Sequence, residues 1–374
     1  MIYLDHAATT SPHEDVLTAM DPYLVEHIHN PSAQYATEAA EGIENARAQV
    51  AQLIGADPGS IVFTGGGSEA DNLALKGLFD NVDNGHLVTS TIEHAAIETT
   101  ARWLERRGID VTRVAPQEDG RVDPIAVREA IRPETKLVSI MHANNETGIV
   151  QPIERIATIA REHDVFVHSD TVQSAGKLPL DAEEMGLHMA SLSAHKFYGP
   201  KGVGALYVED DLRPELEPLI HGGGQEGGLR NGTENVPGIV GMGVAAERAR
   251  ESRKERAQRL SELREEFIDR VHNRTDGQLI GHPSQRLPGY ALFCFADITG
   301  ADIVAALAER GIAVSSGSAC HSGTPSPSTV LTEMGIDAEI ALGAVRFSMG
   351  RDTTLKDVVD AVTAVEDALA TIRT

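Results

Sequence analysis

The chain has 374 residues, 41% of them hydrophobic, which is enough for a large core and for about two domains. Its 56 acidic against 32 basic side chains give a net charge of -24, and only seven of the basic residues are lysines, so the surface repels nucleic acid and anionic membranes. Two cysteines exclude a disulfide framework and any Cys-based zinc or iron–sulfur cage held by this chain alone; a reducing compartment and no metal are expected.

The first residues, MIYLDHAATT, carry an acid and no apolar signal region, and no later run approaches the ~20 apolar residues of a membrane span. A cytoplasmic protein is expected. The excess of carboxylates over lysines also suits a surface kept hydrated at high salt, against the plainer reading of an ordinary acidic enzyme.

From residue 60 onward, short β-branched runs alternate with segments of helical period. SIVFT (60–64), HLVTS (86–90), VTRV (111–114), KLVSIMH (136–142), VFVHS (165–169) and VGALYV (203–208) read as strands. EADNLALKGLF, AAIETTARWLERR and PIERIATIAREH read as helices between them. The alternation predicts an α/β domain with a mostly parallel central sheet, and places ligand chemistry at the carboxyl ends of its strands. One long charged helix is expected from about Val244 to His272, bridging to a smaller C-terminal α/β unit. That unit would hold YALFCFADI, a helix near ADIVAALAERG, AVRFSMG and a last helix from about Thr354.

Three stretches carry chemistry. TGGGSEADN (64–72) follows a strand and opens a helix; its glycines let backbone amides crowd round an anion, and Ser68 with Asp71 has the spacing of a capping box. A tight strand-to-helix turn accounts for it equally well. Asp170, in HSDTVQSAGK, ends a strand and would be an acid partner or a helix cap. Lys196, in SLSAHKFYGPKGVG, sits among Ser, His, aromatic and Gly residues, where desolvation would lower its pKa and free the amine for Schiff-base chemistry. Anion cradle, acid and lysine in this order fit pyridoxal 5'-phosphate, which needs an anion site, an acid beside its ring nitrogen and an amine for its aldehyde.

YLDHAATT, TGGGSEADN, EHAAI, MHANNETG, HSDTVQSAGK, SAHKFYGPKGVG, RNGTENVPGIVG, SSGSAC and VRFSMGR together resemble the cysteine desulfurases, in the group of the nitrogen-fixation and housekeeping iron–sulfur enzymes, from residue 3 to about 351. The resemblance implies a class V aminotransferase-like protein of PLP fold type I and a homodimer. It implies a large cofactor-binding domain over 15–255, with 1–14 and 256–374 as the small domain carrying the cysteine loop. Lys196 would hold the cofactor aldehyde, with His195, Ser193, Gly67 and Ser68 near its phosphate and Thr233 reaching there from the second subunit. Asp170 would pair with the ring nitrogen, Gln173 with the ring oxygen, and His94 would stack on the ring. Asn145, beside the cofactor, and Arg346 would grip the carboxylate of L-cysteine. Taken singly, His94 reads as a helix start, Asn145 as a turn residue and Arg346 as a salt-bridge partner.

On the same resemblance, Cys320 is the nucleophile: its thiolate would take the substrate's sulfur as a persulfide, leaving alanine, and pass it to an iron–sulfur scaffold or a tRNA-thiolation protein. The Gly-, Ser- and Pro-rich HSGTPSPST that follows suits a carrier that has to move. Cys294, inside YALFCFADI, reads as buried and inert. His6 and His321 depart from the family's usual Asn and Thr. A selenocysteine lyase, another pyridoxal enzyme of fold type I, or a non-catalytic scaffold for iron–sulfur assembly are the competing readings.

Overall fold

The computed structural model describes residues 1–317 and 326–374. Its larger sheet has seven strands: β2 (Ile61–Thr64), β3 (His86–Ser90), β4 (Asp110–Val114), β5 (Thr135–Ser139), β6 (Phe166–Asp170), β7 (Met189–Ser193) and β8 (Gly204–Val208). They lie in the order β2-β8-β7-β6-β5-β3-β4. β8 runs antiparallel to both its neighbours, and the remaining pairs are parallel.

Side chains alternate across a strand, so this sheet feeds two cores. Val62, Leu87, Leu137 and Leu206 pack on one face with the helices Gly67–Phe79 and Ala95–Glu105. Ile61, Val88, Val138 and Tyr207 pack on the other with the helices Thr37–Leu53 and Ile153–Arg161. The one strand absent from the sequence reading is β7: its MASLS carries no β-branched or aromatic residue, and burial on both faces stands in for propensity.

The bridging helix runs from Val236 to Arg274, beginning earlier than its charge pattern suggests. Its first turns hold Gly238, Gly241 and Gly243, residues that weaken an isolated helix. Here they permit close packing: a Cβ on Gly243 would lie 2.5 Å from Ala46 Cα in the Thr37–Leu53 helix. Asn235 caps the start by accepting from Gly238 N–H.

Farther along, Leu260, Phe267 and Val271 of the same helix enter a second core with Phe293, Phe295 and Phe347. Its sheet is antiparallel, in the order β12-β13-β10-β9: β9 (Gln278–Leu279), β10 (Tyr290–Cys294), β12 (Ser315–Ser316) and β13 (Ala344–Ser348). The helices Gly300–Glu309 and Leu355–Ile372 cover it. The N-terminus joins this smaller α/β unit: β1 (Ile2–Tyr3) pairs in parallel with β11 (Ile312–Ala313), and Leu4 is fully buried in the second core. Among the described residues no helix is long and apolar enough to cross a membrane.

Where β8 begins, the backbone passes hard against the glycine turn after β2. A Cβ on Gly204 would sit 2.5 Å from Leu192 O and 2.6 Å from Gly66 C, both rigid backbone. Gly204→Ala is therefore expected to cost about 1–3 kcal/mol, as overpacking does, read as a lower urea midpoint.

Candidate active site

A cleft of about 580 Å³ opens at the carboxyl ends of the parallel strands. It brings together Gly67, Ser68, His94, Asn145, Asp170, Gln173, Ser193, His195, Lys196 and Arg346. Thr233 is exposed and does not line it, and Cys320 lies outside the described residues.

The capping box expected of Ser68 and Asp71 does not form. Gly66 is the N-cap of the Gly67–Phe79 helix, at φ +151°, with no side chain accepting from the first turn. Such a backbone suits only glycine, and it leaves the first amides of the helix free to face an anion. A Cβ on Gly67 would lie 2.7 Å from Val172 Cγ2, so the turn has no room for a side chain there. Beside it His195 bonds Thr9 Oγ1 through Nδ1 at 3.1 Å, and burial drives its pKa down to about 4, so the ring is neutral.

Asp71 is instead buried at the back of the cleft, a role the sequence reading missed because its helical spacing from Ser68 imitates a cap. Its Oδ1 has no hydrogen-bond partner among the described residues, and burial followed by the charge of Asp170 pushes its carboxyl well up. Asp170 is also buried and raised by burial; its Oδ1 accepts from Val172 N–H at 2.9 Å. Ligand atoms of Asp71, His94 and Asp170 all lie within 4.8 Å of one another. Nearby His168 is no counter-charge, since burial lowers its pKa to about 3 and its ring bonds Ser139 and Ser191. Two carboxylates this close stay ionised together only beside a cation, and a protonated ring nitrogen is such a partner.

His94 does begin a helix, and lines the cleft as well. Its Nδ1 accepts from Ala96 N–H at 3.1 Å, which leaves Nε2 as the proton-bearing nitrogen of the neutral ring.

Lys196 follows β7 on the short turn Ala194–Lys196. Its Nζ donates to the carbonyls of Ala7 at 2.7 Å and Ala8 at 2.9 Å, with no carboxylate in direct contact among the described residues. Burial and then Arg346 lower its pKa to about 8, against the opposing pull of Asp170. Gln173 donates to the same Ala7 carbonyl and accepts from the buried Tyr290 hydroxyl at 2.8 Å, keeping one amide N–H free. Behind it Lys177 is half-buried, its Nζ on Gln173 O, and its pKa is pushed well down by desolvation.

Arg346 comes from β13, across the seam between the two sheets. It gives one N–H to Asn145 O at 2.8 Å and pairs with Asp5 Oδ1 at 2.6 Å. Its Nε is buried and unpartnered among the described residues. Asp5 is a second missed member; it stands in the YLDHAATT stretch, but no spacing rule connects it to an arginine more than 300 positions away. Cys294 is buried in β10 and its thiol is raised to about 12 by burial, the state of an inert packing residue.

The family model for class-V aminotransferases matches residues 2–361. Cysteine desulfurase IscS of Dictyoglomus turgidum is 43% identical over the whole chain and 95% of its own length. A solved NifS-like protein superposes with a TM-score of 0.93 at 35% identity, covering 99% of both chains. SspA in complex with cysteine superposes at 0.84 and 41% identity, covering 93% of this chain and 99% of that one. The chain thus belongs to the class-V aminotransferases and, within them, to the cysteine desulfurases.

Members of this family depend on pyridoxal phosphate, and so does this protein. The cleft fits the group on its own terms: a turn with uncapped amides for the phosphate, a buried carboxyl pair short of a cation, and a partly neutral amine. The lowered lysine gives a pH signature. Borohydride trapping of pyridoxal phosphate on the apoprotein's Lys196 should rise through about pH 8 and then level off. A rise continuing to about pH 10, the titration of an ordinary lysine, would contradict the desolvated environment.

Proposed function

We propose that the cleft residues act as follows in removing sulfur from L-cysteine, giving L-alanine and a persulfide on Cys320. The reading is supported above all by the pairing of β12 with β13: Ser315, just before the SSGSAC cysteine, stands opposite Arg346 in register. The last described residues before Cys320 therefore lie along the wall that would hold the substrate carboxylate.

Bound pyridoxal phosphate supplies an electron-accepting ring that acidifies Cα of an attached amino acid. Gly67, Ser68, Ser193 and His195 hold its phosphate side, Asp170 faces its ring nitrogen, Gln173 its ring oxygen, and His94 its ring face. Asn145 lies alongside the cofactor. Arg346 fixes the substrate carboxylate with its guanidinium fork, and Asn145 steadies that fork. The Lys196 amine, near neutrality, accepts the Cα proton.

The Cys320 thiolate attacks the substrate sulfur: an S–S bond forms, the Cβ–S bond breaks, and its electron pair stays with the three-carbon fragment. That fragment takes up protons, one from His94 Nε2–H, and leaves as alanine. The persulfide then passes to a protein acceptor, an iron–sulfur scaffold or a tRNA-thiolation protein.

The same reading gives a large cofactor-binding domain over 15–255 and a small one over 1–14 and 256–374. It takes the protein as a cytoplasmic homodimer, adapted through its acidic surface to high salt. Thr233, away from its own cleft, would complete a partner's phosphate site. The exposed Leu24, Val25, Ile28 and Tyr35 offer apolar surface for a second copy to cover.

Incubation with L-cysteine should add one sulfur atom to the peptide holding Cys320 and none to that holding Cys294, read by mass spectrometry under non-reducing conditions. Cys320→Ser should abolish alanine release. Sustained turnover in that variant would instead indicate a lyase that needs no protein thiol.

A further inference from the structure

The two described ends of the segment that holds Cys320 lie near one side chain outside the roles assigned so far, and one of them bonds it. At the near end, Gly317 N–H bonds Ala344 O at 3.1 Å, and a Cβ on Gly317 would lie 3.7 Å from Glu146 Oε2. At the far end, Ser328 Oγ–H donates to that same Glu146 oxygen at 2.6 Å. Ser328 is buried, and is also the N-cap of the helix Thr329–Glu333. Glu146 follows Asn145, whose carbonyl holds Arg346, and its own N–H is fixed by Asn144 Oδ1 at 2.9 Å.

We propose that Glu146 is a positioning residue for sulfur transfer: by accepting from Ser328, it fixes the far attachment point of the cysteine segment to the loop that steadies Arg346, close to where Ala344 holds the near one at Gly317. The chemistry suits the task. A short bond from a hydroxyl to a largely buried carboxyl is strong and directional, which suits it to holding a chain end. Since Asn144 and Asn145 orient the loop on the substrate side, the attachment points and the carboxylate site share one rigid reference.

The proposal rests on Cys320 being the sulfur acceptor, and the experiment separates the two. Holoenzyme carrying Glu146→Ala, Glu146→Gln, Ser328→Ala or the Glu146→Ala/Ser328→Ala pair is mixed rapidly with L-cysteine. Two readouts are followed: the cofactor's absorbance change on taking up substrate, and the mass gain on the Cys320 peptide.

Glu146→Ala and Ser328→Ala should each slow persulfide formation by about tenfold, the scale of one strong hydrogen bond. The double variant should be no slower, and the absorbance change should stay within about twofold of the parent. Glu146→Gln keeps an acceptor oxygen and should recover most of the rate. Glu146→Ala leaves the helix cap intact, so its effect is not that of an unravelled helix. Unchanged persulfide formation in Glu146→Ala, or equal slowing of both readouts, overturns the proposal. A Cys320→Ser variant that still releases alanine overturns the underlying reading instead.

Discussion

The cleft depends on one stretch of backbone, the N-terminal segment from Leu4 to Thr10, which crosses from the second core into the first unit's active site. Leu4 anchors it, and Asp5 and His6 attach it to Arg346 and to Ser348 O. The Ala7 and Ala8 carbonyls then receive the Lys196 amine, while Thr9 and Thr10 take hold of His195. Neutral carbonyls are the right partners for this lysine. A carboxylate in contact would hold it charged and unreactive, whereas two carbonyls orient it and leave its proton loosely held. Cavity, acid and guanidinium are then arranged around an amine whose position is set by main chain.

The same segment shows what a sequence can and cannot disclose. Periodicity located six strands of the large sheet and the helices between them to within a few residues, because buried parallel strands read as compact β-branched runs, but it did not name the helix Thr37–Leu53. It missed β7, where Ser and Ala are buried on both faces, and the glycine-rich start of the bridging helix, where close packing outweighs propensity. Motifs found most of the residues lining the cleft, since Gly, Asp and Lys at strand ends keep their chemical character in one dimension. Asp5 and Asp71 escaped for a common reason: their roles arise from contacts across the fold, and their local spacing carries either no signal or a misleading one.

Those misleading neighbours explain why a very acidic protein tolerates more acid at its centre. Asp71 and Asp170 sit where desolvation and mutual repulsion both disfavour charge, and no described arginine or lysine pairs with either. Such a site is unfavourable in the apoprotein and would be relieved by a bound cationic ring. Surface carboxylates act over distances that salt screens, while these act at contact and are screened far less. The acidic surface and the acidic cleft are thus separate features.

The guanidinium of Arg346 completes the argument for an amino acid substrate. Two of its donor directions are already taken, by Asn145 O and Asp5, which fixes the plane of the fork. Each terminal nitrogen carries a second N–H beyond these two bonds, and on the proposed role of Arg346 these meet an acceptor from the cleft. An α-carboxylate supplies one and gains a charge-assisted contact. An amine without that carboxylate would be seated beside an unpaired, desolvated N–H, and a site with such a group rejects a molecule more strongly than a missing contact alone would. On the proposed role of Arg346, selectivity for amino acids would follow from how completely Asp5 and Asn145 have restricted one side chain before the substrate arrives.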